Sequence, residues 1–298
     1  MLGLVWGLNP SFNIKCYIPT KVDKFMIHQS STCINHITKK IRANIIASCH
    51  QSRGGHIASS LSMVEIIYSL FSHQDTDLID DHNGDKKDRF LLSSCQGALA
   101  LYAVMNEIGE IDEREFSRFL HRDSSLTMFP SKDLKFSDMT AGSLGHALSL
   151  ATGMALTHKN KGQVNRKVYV LLGDGELNEG SNWEGIMAAA HFGLSNICLV
   201  VNNNGVQIDG TNAEVMNTEP LTDKFASFGW DVFQVDGHNC AQMRDAFTDF
   251  IHRSVGKPTV ILAETIKGRG VSFTTNNPLW HYRVPTKAEC QLAKMELS

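Results

Sequence analysis

The stretch from Leu171 to Gly210, LLGDGELNEGSNWEGIMAAAHFGLSNICLVVNNNGVQIDG, sets an acid and three asparagines at the far ends of two apolar runs. If those runs are neighbouring strands, Asp174 and Asn204 stand on adjacent strand tips. One carboxylate, one amide oxygen and a nearby main-chain carbonyl make a hard-oxygen set suited to Mg2+. The set cannot fill the octahedral shell of the ion, which commonly takes its remaining oxygens from phosphates and water. A diphosphate is therefore the expected companion. Gly173, Gly175 and a helix starting near Ser181 would give it room and main-chain donors. Either half alone is ordinary, because Asp-Gly is a common turn and Asn-rich strand ends are common loops. Their order and spacing together point to the site.

The elements that must position these residues follow from periodicity. Short β-branched runs, KVYVLL, NICLVV, WDVFQV and PTVILAET, read as buried parallel strands. Helical stretches alternate with them. Ser181 with Glu184 reads as a capping box before GIMAAAHFGL, Asn239 as the cap of CAQMRDAFTDFIHRSV, and Thr286 with Glu289 as the box of the last helix. Upstream, Ile34, Ile37, Ile41, Ile45 and Ile46 form one helical stripe, and Ser62 with Glu65 reads as a capping box opening SMVEIIYSLF. The loop HQSRGGHIASS lies between those two helices. GALALYAVMNEIG, DEREFSRFL and SLGHALSLATGMALTHKN, starting just after Gly142, are further helices. Strand-helix alternation of this kind predicts an α/β fold, a doubly wound, mainly parallel sheet in three α/β/α layers, with ligands at the strand carboxyl ends.

Composition narrows the partners. Hydrophobic residues are 42%, charged residues 20% and the net charge is −3, which argues against disorder and against nucleic acid as a ligand. No run reaches the length of a membrane span. Seven cysteines without a CxxC pair fit reduced, mostly buried thiols and a cytoplasmic location. Residues 1–31 lack clear periodicity and read as a loose arm, with Met26 as an alternative start; residues 32–298 read as one domain.

GDG followed by an Asn-rich strand end resembles the thiamine diphosphate binding motif. The wider pattern, with RGGHIASSLSMVEIIY, DRFLLSSCQGALALYAVM, TAGSLGHALSLATGMAL, AETIKGRGVSF and WHYRVP, is similar to the transketolase family from about residue 32 to the end. It matches only the diphosphate-binding domain of that family, so it looks like the N-terminal subunit of a split enzyme. The resemblance implies thiamine diphosphate with Mg2+ (or Ca2+), the metal held by Asp174, Asn204 and the main-chain oxygen of Val206. It implies cofactor contacts from Gly142, Ser143, Leu144, His146, Gly173, Gly175, Glu176, Glu179, Asn204 and His281. His56, His281, Lys267 and Gln96 would be catalytic, with His56 and Arg283 meeting substrate. The implied reaction moves a two-carbon ketol unit from a ketose to an aldehyde or a carrier-bound acceptor. A C-terminal subunit with the pyrimidine-binding domain would supply the activating glutamate, in a heterotetramer.

The chain also departs from the family pattern. SSCQ replaces SKGH, so a histidine becomes Gln96, which hydrogen-bonds but carries no proton at neutral pH. Met128-Phe129-Pro130 replaces GHP, and GSLGHA replaces GSLGQG, which brings in His146. These changes bear on the usual phosphorylated sugars. Two other classes stay open, a 2-oxo acid dehydrogenase type of thiamine enzyme and a non-catalytic cofactor-binding relic. WHYRVP, KGRG and GSLG favour the transketolase type over the former.

Overall fold

The computed structural model describes residues 31–80, 87–253 and 256–298. The arm expected over residues 1–31 lies, apart from Ser31, outside the described residues, and so does Met26. Five strands form one sheet: β1 (Arg89–Leu92), β2 (Val168–Gly173), β3 (Ile197–Asn203), β4 (Asp231–Asp236) and β5 (Thr259–Glu264). Their order is β1-β2-β3-β5-β4 and every pairing is parallel. The side chains alternate between two cores, as a period of two requires. Val168, Val170 and Leu172 enter one core, Tyr169 and Leu171 the other.

One layer holds α1 (Ser31–Ser52), α2 (Ile57–Ser62), α3 (Val64–Phe71) and α4 (Ala98–Glu107). The short α5 (Glu113–Phe116) follows α4, and then the chain crosses to α6 (Ala147–Asn160) and α7 (Gly180–His191) in the second layer. After β3 come α8 (Asn212–Val215) and α9 (Leu221–Ser227); α10 (Cys240–His252) precedes β5, and α11 (Lys287–Glu296) follows it. Handedness explains the sides. The steps β2 to β3 and β3 to β4 run the same way across the sheet and carry α7 and α9 on one face. The step from β4 back to β5 reverses, so a right-handed crossover puts α10 on the other face.

Several expectations are corrected. Ser62 closes α2 and its hydroxyl donates to the Ser59 carbonyl, while Glu65 is drawn inward to Arg42, so no capping box opens α3. Of the expected HQSRGGHIASS loop, residues 50–52 close α1 and residues 57–60 open α2, which leaves residues 53–56 as the loop. Ser181 lies inside α7 and donates to the Gly145 carbonyl at 2.8 Å, so the box with Glu184 is not formed either. The helix expected after Gly142 starts at Ala147, because the preceding residues turn instead. At Gly145 φ is +83°, and a Cβ there would meet Ser181 Oγ at 2.6 Å. Only α5 remains of DEREFSRFL, capped by Asp112. WDVFQV becomes β4, an edge strand that is only partly buried. The strand β1 has no counterpart among the expected elements; its four residues are too short to show a period. The caps at Asn239 and Thr286 are as expected.

Candidate active site

β2 and β3 are neighbours, with Gly173 in register with Asn202, so Asp174 and Asn204 do leave adjacent strands at the same end of the sheet. The three asparagines divide their work. Asn202 is wholly buried, donating to Ser62 Oγ and accepting from Thr265 Oγ1 at 2.6 Å. Asn203 donates to Glu264 at the end of β5. Asn204 accepts from the Val206 N–H at 3.1 Å, closing an Asx turn that starts the loop.

Asp174 is 2% exposed. Its Oδ1 accepts from the Gly175 N–H at 2.9 Å, and Oδ2 from the Gly205 N–H at 2.6 Å and from Asn212 Nδ2 at 2.8 Å. Burial pushes the carboxyl up from its ordinary pKa, against the pull of the Gly205 and Gly175 amides. Beside it Lys267 Nζ donates to the carbonyls of Val206 and Gln207 at 2.9 and 2.8 Å. Burial brings this ammonium down to about 8, with Asp174 opposing. Glu176 is turned inward, accepting from Ser93 Oγ and from the amides of Gly145 at 2.9 Å and Gly173 at 3.4 Å. It thereby ties the Gly142–Gly145 turn to the β2 tip.

A second group gathers at the start of α2. His56 lies with its ring centroid 5.4 Å from His281, 4.9 Å from Tyr282 and 6.0 Å from Phe129, which stacks on it at 27°. Burial lowers the pKa of His56, helped by Lys267. Burial, Lys267 and His56 together lower His281 to about 4. Both rings are thus held neutral, able to accept a proton or a hydrogen bond.

The remaining expected residues are placed as follows. Gln96 is half-buried in the turn that ends β1, and its carbonyl accepts from Ser60 Oγ. Ser143 is exposed and Leu144 half-buried beside Gly142, whose carbonyl accepts from Cys95 Sγ. His146 and Glu179 are exposed at the starts of α6 and α7. Arg283 is not gathered into the histidine group: its guanidinium lies 4.5 Å over Trp280 and bonds Glu289 at 3.1 Å. Asn212 and Tyr282 join the site without having been expected there. The box Thr211-x-x-Glu214 marks the helix start that delivers Asn212, so that signal is legible. Nothing in the local pattern signals Tyr282.

Two observations bear on whether a cation and a diphosphate suit these residues. The acceptors at the strand tips are oxygens, the ligand type a hard cation takes, with Asp174 as the one carboxylate among them. His281 Nδ1 is buried without a hydrogen-bond partner, a donor or acceptor with nothing to meet. The oxygen set and the unpartnered ring nitrogen suit the two kinds of ligand, with the Val206 carbonyl also reached by the Lys267 ammonium.

Parallel sheet, strand-tip carboxylate and glycine turn define an α/β protein whose polar side chains gather at the carboxyl edge of the sheet. The chain belongs to the transketolase family: residues 33–297 match the family's thiamine diphosphate binding domain. It is 36% identical over 265 residues to an "Apulose-4-phosphate transketolase subunit" of Actinobacillus succinogenes, covering 87% of this chain and 94% of that one. To a "6-deoxy-6-sulfo-D-fructose transketolase subunit" of a Clostridium species it is 36% identical over 270 residues, covering 89% and 96%. A transketolase of Campylobacter jejuni shares its fold, with TM-score 0.80 and 20% identity, over 90% of this chain and 43% of that one. The chain thus spans less than half of that solved transketolase. Among the described residues no helix is long and apolar enough to cross a membrane.

Proposed function

We propose that this chain is the diphosphate-binding subunit of a split transketolase-type enzyme that moves a two-carbon ketol unit from a ketose to an aldehyde or carrier-bound acceptor. The observation that carries this reading is the meeting of Asp174 and Asn204 on neighbouring strand tips, beside Lys267 and the His56–His281 pair. The lengths and "subunit" names of the relatives support a separate partner chain. In this reading Asp174, Asn204 and the Val206 carbonyl hold Mg2+ (or Ca2+), and His281 meets a diphosphate oxygen through its unpartnered Nδ1. Gly142, Ser143 and Leu144 line the ring end, and Glu176 sets their turn rather than touching the ligand. When bound, thiamine diphosphate supplies the electron sink that carbon-carbon cleavage needs. His56, kept neutral, accepts a proton from a donor hydroxyl, while Gln96 orients by hydrogen bonding alone. Glu179, exposed at the start of α7, and His146 face the partner, which supplies the activating glutamate in a heterotetramer. Phe129 against His56 gives the substrate an apolar wall where a histidine would offer a polar one.

The test is purification with a co-expressed pyrimidine-domain subunit, followed by thiamine diphosphate- and Mg2+-dependent turnover of simple ketoses with aldehyde acceptors. Turnover by the pair and none by either chain alone is expected. A pair that binds the cofactor and turns over nothing would leave the relic as the better reading.

A further inference from the structure

Arg42 on α1 is 4% exposed. Its Nη1 and Nη2 donate to Glu65 Oε1 and Oε2 at 2.6 and 2.7 Å, a bidentate pair. Nη2 also donates to the Leu61 carbonyl in α2 at 3.1 Å, and Nε to the Arg269 carbonyl at 3.0 Å. His238, in the loop after β4, stands 3.0 Å from Glu65 Oε2 through Nδ1, and its Nε2 is 2.8 Å from the Ile266 nitrogen. A backbone N–H can only donate, so Nε2 is the acceptor and Nδ1 carries the proton given to Glu65.

The outward contacts of this cluster are not spread at random. Ile266 and Arg269 flank Lys267, and Leu61 lies in the helix that begins just after His56. The same turn and helix are joined directly, because the Gly268 N–H donates to the Ala58 carbonyl at 3.0 Å. At Gly268 φ is +74° and a Cβ would lie 2.2 Å from the Thr274 carbonyl oxygen, so the turn has one tight path. A buried ion pair is seldom needed for stability alone, since apolar residues of similar volume often do as well.

We infer that Arg42, Glu65 and His238 form a positioning cluster that sets the Lys267 turn and the His56 helix against the strand tips. The inference rests on Lys267 and His56 belonging to the proposed site. It is tested with the chain in complex with its partner subunit, through two variants of one residue. In His238→Gln the side-chain oxygen reaches the Nε2 position and still accepts from Ile266. In His238→Asn the amide reaches only the Nδ1 position, serving Glu65 and leaving the Ile266 N–H unpaired. The readouts are amide exchange at Ile266 and Gly268, affinity for thiamine diphosphate with Mg2+, kcat and KM for a ketose, and Tm.

The expected result is that Asn speeds exchange at both amides and lowers cofactor affinity or kcat by about tenfold, while Gln stays within about threefold of the parent, with both variants losing similar Tm. Equal effects of Asn and Gln, no effect of either, or losses that simply follow Tm would overturn the positioning role. If even the parent complex turns over no ketose, the proposed function fails separately, and exchange with cofactor affinity still decides this inference.

Discussion

A carboxylate almost wholly removed from water is expensive unless it is paired, and Asp174 is met by two amides, Asn212 and the neighbouring charge of Lys267. Replacing Asp174 by Asn keeps shape and removes the one carboxylate of the proposed metal set. Mg2+-dependent thiamine diphosphate affinity should fall by roughly 100-fold, read by calorimetry, with little change in far-ultraviolet circular dichroism. Phe129→His puts a proton carrier against His56, and activity of the assembled pair toward phosphorylated ketoses should rise severalfold; Gln96→His should do the same more weakly. The chemistry of these positions is legible because Asp, Asn and His declare their donors by type. Tyr282 is not, since it meets His56 only through tertiary packing, and the tethering of Arg283 to nearby Trp280 and Glu289 follows no recognised sequence pattern.

The turn carrying Lys267 has little freedom. Gly268→Ala must move either the turn or the Thr274 carbonyl, and should cost about 2–3 kcal/mol in a thermal or denaturant melt. Thr286→Ala removes a cap that accepts from the Glu289 amide and should cost about 1 kcal/mol. Strands buried on both faces read directly as apolar runs, and caps followed by exposed helix starts read correctly at Asn239 and Thr286. Ser62 and Ser181 mislead because a serine three residues before a glutamate caps only where its hydroxyl is free. Here those hydroxyls serve Ser59 and Gly145. The Gly142–Gly145 turn carries two glycines, which disfavour the helix expected to begin there, and its restraint comes from Glu176, some thirty residues downstream.

At the scale of the molecule, the Arg42–Glu65–His238 cluster links the response to acid to the position of the site. Burial alone would raise the Glu65 carboxyl, but Arg42 and His238 hold it down to about 2. The folded value lies below the ordinary one, so this contribution is full above about pH 4.5 and is lost as pH falls toward 2. Glu65→Gln should therefore flatten the loss of Tm between pH 5 and 3 relative to the parent, while lowering Tm at pH 7. Outward, Leu150 on α6 and Met187 on α7 remain 49% and 56% exposed on helices that pack together. Met187→Glu should weaken association with the proposed partner subunit by about tenfold or more without lowering the Tm of the isolated chain, as measured by sedimentation and a parallel thermal melt.

The guanidinium stacked over Trp280 has a practical consequence. That indole is 2% exposed and lies one residue before His281. The cation above it makes its emission sensitive to small shifts of the segment. The chain thereby carries, as one of its four tryptophans, a native fluorophore beside the proposed phosphate contact, and the Trp280 share of the intrinsic emission should change when a ligand arrives there.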